Sequence, residues 1–213
     1  MKTRYAKTVL LILATSITFT LQAQNSAMDR REELAFGLKA GVNFANLYDT
    51  RGGEFEEKTK VGFAGGAFLS LPIGKFIGVQ PEVLYSMKGY KGSGSVINYT
   101  YTRTVDYLDI PLLIQIKPAP SVTIVGGPLF SFLMHKKISF ESGNLSLEQQ
   151  TDIRNTNFRK NTLGITGGLD INLYPIVISG RVGWDLQHNN GDGTSTDPRF
   201  KNAWIQTTLG VAF

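Results

Sequence analysis

The feature that most constrains the fold is a period of two in the polarity of the last nine residues. Positions 205, 207, 209, 211 and 213 are mostly apolar, and the residues between them are small or polar. Side chains of a β-strand point alternately to its two faces, so this pattern predicts a strand with one apolar face. The chain therefore ends in a strand, and its terminal residue, Phe213, belongs to the apolar face.

The same alternation recurs in seven earlier segments. Each segment is close to the length of about 9–11 residues that a tilted membrane strand needs. The eight predicted strands cover residues 36–44, 61–71, 77–88, 108–117, 122–134, 163–172, 176–187 and 205–213. Apolar residues occupy one parity and polar or charged residues the other, which predicts an all-β fold that is apolar on one face.

The connections between the predicted strands alternate in length. Short proline-marked turns at 72–75, 118–121 and 174–175 alternate with long polar stretches at 46–60, 89–100, 136–161 and 189–202. Outer-membrane barrels have short periplasmic turns and long external loops. A soluble lipocalin-like barrel also has eight strands, but its apolar face points inward. We therefore predict an eight-stranded antiparallel up-and-down transmembrane β-barrel in the outer membrane of a Gram-negative bacterium.

The N-terminus has the pattern of a secretory signal peptide. Residues 1–7 carry three basic residues and no acid, residues 9–21 are mostly apolar, and Ala23 offers a small residue for cleavage. The apolar run is too short for the alternative, an N-terminal anchor helix. We predict a signal peptide at residues 1–23 and an outer-membrane β-barrel domain at residues 24–213.

Composition excludes several classes of function. The net charge of +5 includes Lys2, Arg4 and Lys7, so the mature chain would carry +2, which gives no electrostatic case for a nucleic-acid partner. Cysteine is absent, so disulfides and thiolate metal sites are excluded. No apolar stretch long enough for a spanning helix follows the signal peptide, and a membrane protein of this composition must carry its apolar residues in alternation.

Three prolines interrupt the predicted strands. Pro81, Pro111 and Pro128 fall inside the third, fourth and fifth of them. Proline donates no ladder hydrogen bond and is normally confined to edges or bulges. Because a closed barrel has no edge, we expect bulges at these positions, or strand ends that stand above the membrane.

Aromatic residues should form two girdles, because they favour the membrane interfaces. The strand directions place Phe36, Phe76, Tyr174 and Phe213 on the periplasmic side. They place Phe44, Phe63, Tyr85, Phe132 and Trp184 on the external side.

Three segments resemble a known family. The segments are GLKAGVNFANL in the first predicted strand, GVQPEVLYSMKG in the third and YLDIPLLIQIKP in the fourth. They are similar to the PorT-like outer-membrane β-barrel proteins of Bacteroidetes, over essentially the whole mature chain. The resemblance implies a barrel that carries the segments Gln80-Pro81-Glu82 and Leu108-Asp109-Ile110-Pro111. It implies no catalytic set, and PorT itself belongs to a protein-secretion apparatus.

Two histidines are the candidates for catalysis. His135 and His188 lie at the external ends of their strands, Ser131 shares strand parity with His135, and Asp185 lies near His188. A Ser–His pair could supply a nucleophile and its base, as in a lipid-modifying enzyme at the barrel rim. The pair lacks a G-x-S-x-G-like context and an evident orienting acid, so two rim histidines that face solvent are favoured.

The segment 189–194, Asn-Asn-Gly-Asp-Gly-Thr, offers oxygen ligands but lacks the spaced acids and closing Glu of a calcium loop. A solvated turn is favoured. We therefore predict no catalytic, cofactor-binding or metal-binding residue, and no cofactor.

The polar strand faces carry charges that should point into the lumen, since a charge on the lipid face costs about 2–4 kcal/mol near the midplane. These residues are Lys39, Glu82, Asp109, Asp170, Arg181 and Asp185. Eight strands enclose only enough space for side chains, so Arg181 should pair with Glu82, Asp109 or Asp170 and close the barrel.

The predicted function is a structural or interaction role, in which the external loops present the binding surface. Expected partners are outer-membrane lipids and lipopolysaccharide, possible envelope proteins, and the barrel-assembly machinery, which would recognise the C-terminal strand ending in Phe213. The alternatives are an accessory of an outer-membrane secretion or surface-assembly machine, which rests on the PorT resemblance, and the lipid-modifying enzyme.

Overall fold

The computed structural model describes residues 29–51, 56–94, 99–142, 145–150, 159–189 and 199–213. The strands are Ala35–Arg51 (β1), Glu56–Pro72 (β2), Ile77–Gly94 (β3), Tyr99–Ala119 (β4), Val122–Ser142 (β5), Leu145–Gln150 (β6), Asn161–Leu173 (β7), Ile176–Asp185 (β8) and Arg199–Ala212 (β9). Within these described ranges, no helix is long and apolar enough to cross a membrane. The predicted signal peptide, residues 1–23, lies outside them.

Eight of these strands form a closed antiparallel ring. The order is β1-β2-β3-β4-β5-β7-β8-β9, and β9 pairs with β1 to close it. Reciprocal backbone hydrogen bonds between Phe36 and Phe213 extend this seam to the last residue. The short β6 pairs with residues 137–142 of β5 and forms a hairpin beyond the ring. The predicted eight-stranded antiparallel barrel is confirmed.

The wall of the barrel is apolar on the outside and polar on the inside. Exposed and buried residues alternate without interruption along β8. The exposed positions carry large apolar side chains all around the ring, among them Leu38, Val42, Val61, Val83, Leu112, Ile114, Ile124, Ile165, Leu169, Val182 and Leu209. A soluble protein rarely exposes a continuous apolar surface of this extent, whereas hydrocarbon is its natural solvent in a membrane barrel.

The two aromatic sets lie at opposite ends of this apolar band. In the periplasmic set, Phe76 lies in the β2–β3 turn, Tyr174 lies in the β7–β8 turn, and Phe36 and Phe213 pair at the start of β1. In the external set, Tyr85 and Phe132 flank Leu108 in one row of the sheet. These positions agree with the predicted strand directions.

The external strand ends were predicted wrongly. β4 begins at Tyr99 and not at 108, β5 continues to Ser142 and not only to 134, and β3 reaches Gly94. Parts of the stretches predicted as loops are therefore hairpin. The sequence at 99–105 is rich in Tyr and Thr, which favour strands, but it lacks the apolar alternation on which the prediction relied.

The expectation of bulges at Pro81, Pro111 and Pro128 was also wrong. The β2–β3 ladder keeps one register from Phe68↔Glu82 to Leu71↔Val79, on both sides of Pro81. The register shifts occur elsewhere, for example in β4–β5 between Asp106 and Tyr107. A proline removes a single donor from the ladder, and the remaining bonds on either side hold the register.

Candidate functional site

The barrel interior is the candidate site, because it gathers buried charged side chains. All six residues predicted to face the lumen are buried, with at most 4% of their surface exposed: Lys39, Glu82, Asp109, Asp170, Arg181 and Asp185. Alternation along each strand places them there, since the lipid-facing parity is occupied by apolar residues. Their predicted inward orientation is confirmed.

Four of these residues form an ionic layer: Lys39, Glu82, Asp170 and Arg181. Arg181 contacts Asp170 through both terminal nitrogens, at 2.7 and 2.9 Å, and contacts Glu82 at 3.5 Å. Lys39 donates to the second oxygen of Glu82 at 2.5 Å. The layer holds two cations and two anions, so its buried charges balance.

The ionic layer crosses the full width of the lumen. Glu82 lies on β3 and Arg181 on β8, which are four strands apart in either direction around the ring. The contact between them therefore joins opposite walls. The predicted pairing of Arg181 with Glu82 and Asp170 is confirmed, whereas Asp109 pairs with another cation.

A chain of hydrogen bonds from neutral side chains supports the ionic layer on its periplasmic side. Gln80 donates to Glu82 at 2.7 Å, and Gln115 donates to Gln80. Ser70 donates to Gln115 at 3.0 Å. The side-chain amides of Gln80 and Gln115 each accept one hydrogen bond through the oxygen and donate one through the nitrogen. This chain holds the Glu82 carboxylate in the orientation in which it contacts the two cations.

A second layer lies on the external side of the ionic layer and is centred on Trp204. We call it the Trp204 layer; it comprises Lys88, Tyr107, Asp109, Ser131 and Trp204. The Lys88 ammonium lies 3.8 Å from the centroid of the Trp204 ring and 4.9 Å from that of Tyr107. It pairs with Asp109 at 2.9 Å, and Asp109 accepts from Ser131 at 2.5 Å. Lys88 thus has an aromatic and an anionic partner, as a buried cation requires.

The indole ring of Trp204 also fills part of the lumen. It packs with Ala45 of β1 and Leu129 of β5, which lie on opposite walls. Gly183 of β8 makes room for the indole, because a Cβ at this position would lie 2.3 Å from Cζ2 of Trp204. A residue without a side chain is therefore required beside the ring.

A cavity of about 10 Å³ lies between the two layers, and its lining includes Glu82, Asp109, Thr166, Arg181, Trp204 and Gln206. A cavity of this volume holds about one water molecule. Side chains therefore occupy the lumen on both sides of the cavity, as expected for eight strands.

Several inward residues at the external end were not predicted from the sequence. Lys60, Arg103 and Lys136 are buried there, and Tyr90 packs edge-on against Phe200 with ring centroids 5.5 Å apart. These positions lay in the stretches predicted as loops or at their borders. Extending the parity of β9 backwards from Gln206 would have placed Trp204, Asn202 and Phe200 on the inward face.

The structure separates the proposed Ser–His pair. Asp106 pairs with His135, but the next residue of β4, Tyr107, pairs with Leu133, so Met134 is an extra residue in β5. This bulge reverses the parity of the strand beyond it. Ser131 is therefore buried in the lumen, whereas His135 is exposed, and the inference from their shared parity was wrong.

In the second candidate pair, the Asp185 carboxylate is engaged by a neighbouring residue in the lumen. The Asp185 carboxylate accepts from the backbone and side chain of Asn202, at 3.3 and 2.6 Å, and points into the lumen. The His188 carbonyl accepts from Arg159 at 3.0 Å. The segment 189–194 was considered above as a calcium loop, and its residues 190–194 lie outside the described residues. Over the described ranges, no group of three His, Cys, Asp or Glu side chains is placed to hold a metal ion.

The fold and its interior define a small outer-membrane β-barrel whose lumen is filled by side chains. The family model for the outer membrane protein beta-barrel domain matches residues 22–189. The chain belongs to this family and is an outer-membrane protein of the Gram-negative envelope. No curated protein matches the chain.

Several solved structures are similar to this chain in fold. Ail, the attachment invasion locus protein of Yersinia pestis in complex with the heparin analogue sucrose octasulfate, has 15% identity and a TM-score of 0.49 over 85% of this chain and 99% of that chain. Neisserial surface protein A has 14% identity and a TM-score of 0.49, over 84% and 99%. OprG from Pseudomonas aeruginosa has 14% identity and a TM-score of 0.45, over 84% and 95%.

Proposed function

We propose that the protein is a closed outer-membrane barrel with a structural or interaction role, and that its external end is the binding surface. The observation that carries this proposal is the contact between Glu82 and Arg181 across the lumen, with Trp204 packed above it. A lumen filled in this way offers no path for solutes, so the chemistry available to partners lies on the surface.

A group of exposed lysines at the external end favours an anionic partner. Lys58, Lys91, Lys137 and Lys160 are exposed there, beyond the external limit of the apolar band. Ammonium groups at this level can meet the phosphates of lipid headgroups, which attract basic residues near a membrane surface. We therefore propose lipopolysaccharide and other outer-membrane lipids as the partners.

The test is binding of purified lipopolysaccharide to the folded protein in detergent. The variant replaces Lys58, Lys91, Lys137 and Lys160 with Gln, and the control replaces Lys75, which is exposed in the periplasmic β2–β3 turn. Each lysine near an anionic surface contributes about 1 kcal/mol, so the fourfold variant should bind at least about a hundredfold more weakly. Equal affinity of the variant and the wild type would refute this partner.

The proposed role is not enzymatic. It is supported by the separation of Ser131 from His135 and by the engagement of Asp185 with Asn202. We expect His135→Ala and His188→Ala to leave the lipid A profile of the outer membrane unchanged. A changed profile in either variant would revive the lipid-modifying enzyme.

A PorT-like role in secretion or surface assembly is the second candidate. The Gln80-Pro81-Glu82 and Leu108-Asp109-Ile110-Pro111 segments lie on the paired strands β3 and β4, and their acids, Glu82 and Asp109, belong to the two lumen layers. Co-purification with a large envelope complex after mild solubilisation would support this role. Migration of all the protein as a free barrel would oppose it.

We also propose that residues 1–23 are a cleaved signal peptide and that the barrel-assembly machinery recognises the C-terminal strand. Cleavage of residues 1–23 should leave Gln24 as the first residue, which N-terminal sequencing of the membrane-inserted protein would establish. The Phe213 side chain is 67% exposed at the end of β9, where assembly machinery could reach it. Deletion of Phe213 should lower the inserted fraction, and undiminished insertion would argue against this recognition.

A further inference from the structure

Residues 31–34 precede β1 and make contact with a distant strand at the periplasmic end. Arg31 donates from Nη1 to the carbonyl of Lys117 at 3.2 Å, and Lys117 donates from Nζ to the carbonyl of Arg31 at 2.9 Å. The guanidinium also lies over the ring of Phe76, 5.1 Å from its centroid. These contacts join the segment to β4, three strands away from β1 around the ring.

The orientation of Lys117 shows that the segment meets the mouth of the barrel from the inside. Lys117 has the inward parity of Leu113 and Gln115, and it is 5% exposed. Its ammonium therefore reaches the Arg31 carbonyl from the lumen side. The four residue steps from Arg31 to Ala35 span at most about 14 Å, no more than three strand spacings. The backbone is too short to detour around the outer rim and runs across the mouth.

We propose that residues 31–34 form a strap that covers the half of the periplasmic mouth bounded by β1 to β4. Arg31 and Lys117 are its latch, since each donates to the main chain of the other. Beneath the strap lie Ser70 and Gln115, which begin the hydrogen-bond chain that leads to Glu82. The strap shields this chain from periplasmic water, and it can open without any change in the wall.

The absence of cysteine from the chain allows a direct test. A Ser70→Cys variant places one thiol under the strap. A Thr123→Cys variant places one thiol at the same end of the lumen, on β5 in the uncovered half; both native side chains are buried. The rate of modification by a water-soluble maleimide is then measured on the folded protein in detergent micelles.

Lys117→Met removes the ammonium from the latch and keeps the length of the side chain. In the Ser70→Cys protein, this change should raise the modification rate about tenfold, the factor that corresponds to loss of one charge-assisted hydrogen bond. The rate at Thr123→Cys should stay the same. Arg31→Ala breaks the latch from the strap itself and leaves the wall intact, and it should have the same effect.

Lys75→Met is the matched control, because Lys75 is an exposed lysine in the neighbouring turn. It should change neither rate. Heat-modifiable migration verifies that each variant is folded. An unchanged rate at Ser70→Cys in both latch variants would overturn the proposal, and so would an equal rise at Thr123→Cys, which would indicate general loosening of the barrel.

Discussion

The ionic layer and the Trp204 layer fill the same lumen by different physical means. The ionic layer joins four strands through paired charges, with Arg181 held between Asp170 and Glu82. The Trp204 layer depends on the volume of one indole, which is seated where Gly183 has no side chain. The first should therefore be sensitive to loss of charge balance, and the second to small changes in volume.

Arg181→Ala should have the largest effect on stability. It leaves Asp170 buried without its cation, and breaking a buried ion pair by removing one partner costs about 3–5 kcal/mol. The free energy of unfolding, measured by urea titration in detergent micelles, should fall by this amount. Lys75→Ala, at an exposed position, should stay within about 0.5 kcal/mol of the wild type. An equally small effect of Arg181→Ala would mean that the ionic layer is not formed.

The ionic layer could be predicted from the sequence, because the cost of a charge facing lipid determines the face on which it lies. Parity placed Lys39, Glu82 and Arg181 on the inward face. The pairing of Asp109 with Lys88 was not predicted, because Lys88 is the last residue of the predicted third strand, whereas β3 continues to Gly94.

Trp204→Ala should be the next most destabilising change. It removes the packing against Ala45 and Leu129 and deprives Lys88 of its closest aromatic partner. Truncation of a buried Trp costs about 3 kcal/mol or more. The same urea titration applies, and Trp184→Ala, at an exposed aromatic of similar size on the outer wall, should be milder. A larger loss at Trp184 would contradict the assigned role of Trp204.

The Trp204 layer could not be predicted in the same way. Alternation assigns a face, but it does not show which inward side chain reaches across the lumen or which glycine makes room for it. The bulge at Met134 likewise has no signal in the sequence pattern, and it separated Ser131 from His135. These features depend on contacts between strands that are distant along the chain.

Gly183→Ala should have an intermediate effect specific to the Trp204 layer. The new methyl group would overlap the indole, and overpacking of this kind costs about 1–3 kcal/mol. Gly180 offers a matched control in the same strand, because it faces outward and a Cβ there would meet nothing within 4 Å. Gly180→Ala should be close to neutral. Equal costs at the two glycines would show that the slot for Trp204 is not needed.

The smallest expected effect is the coupling between the two layers. Arg181 and Trp204 both line the small cavity between the layers. Residues that share a cavity are coupled by about 0.5–3 kcal/mol, so the free-energy losses of Arg181→Ala and Trp204→Ala should depart from additivity by an amount at the low end of this range in the double variant. Strict additivity would show that the two layers act independently.

The central claim is that the lumen is closed, and planar-bilayer recording of the purified wild-type protein tests it most directly. The packed layers predict that insertion, verified by heat-modifiable migration of the same sample, produces no stable current steps above the baseline. Reproducible stepwise conductance of the size that a water-filled pore gives would contradict the account.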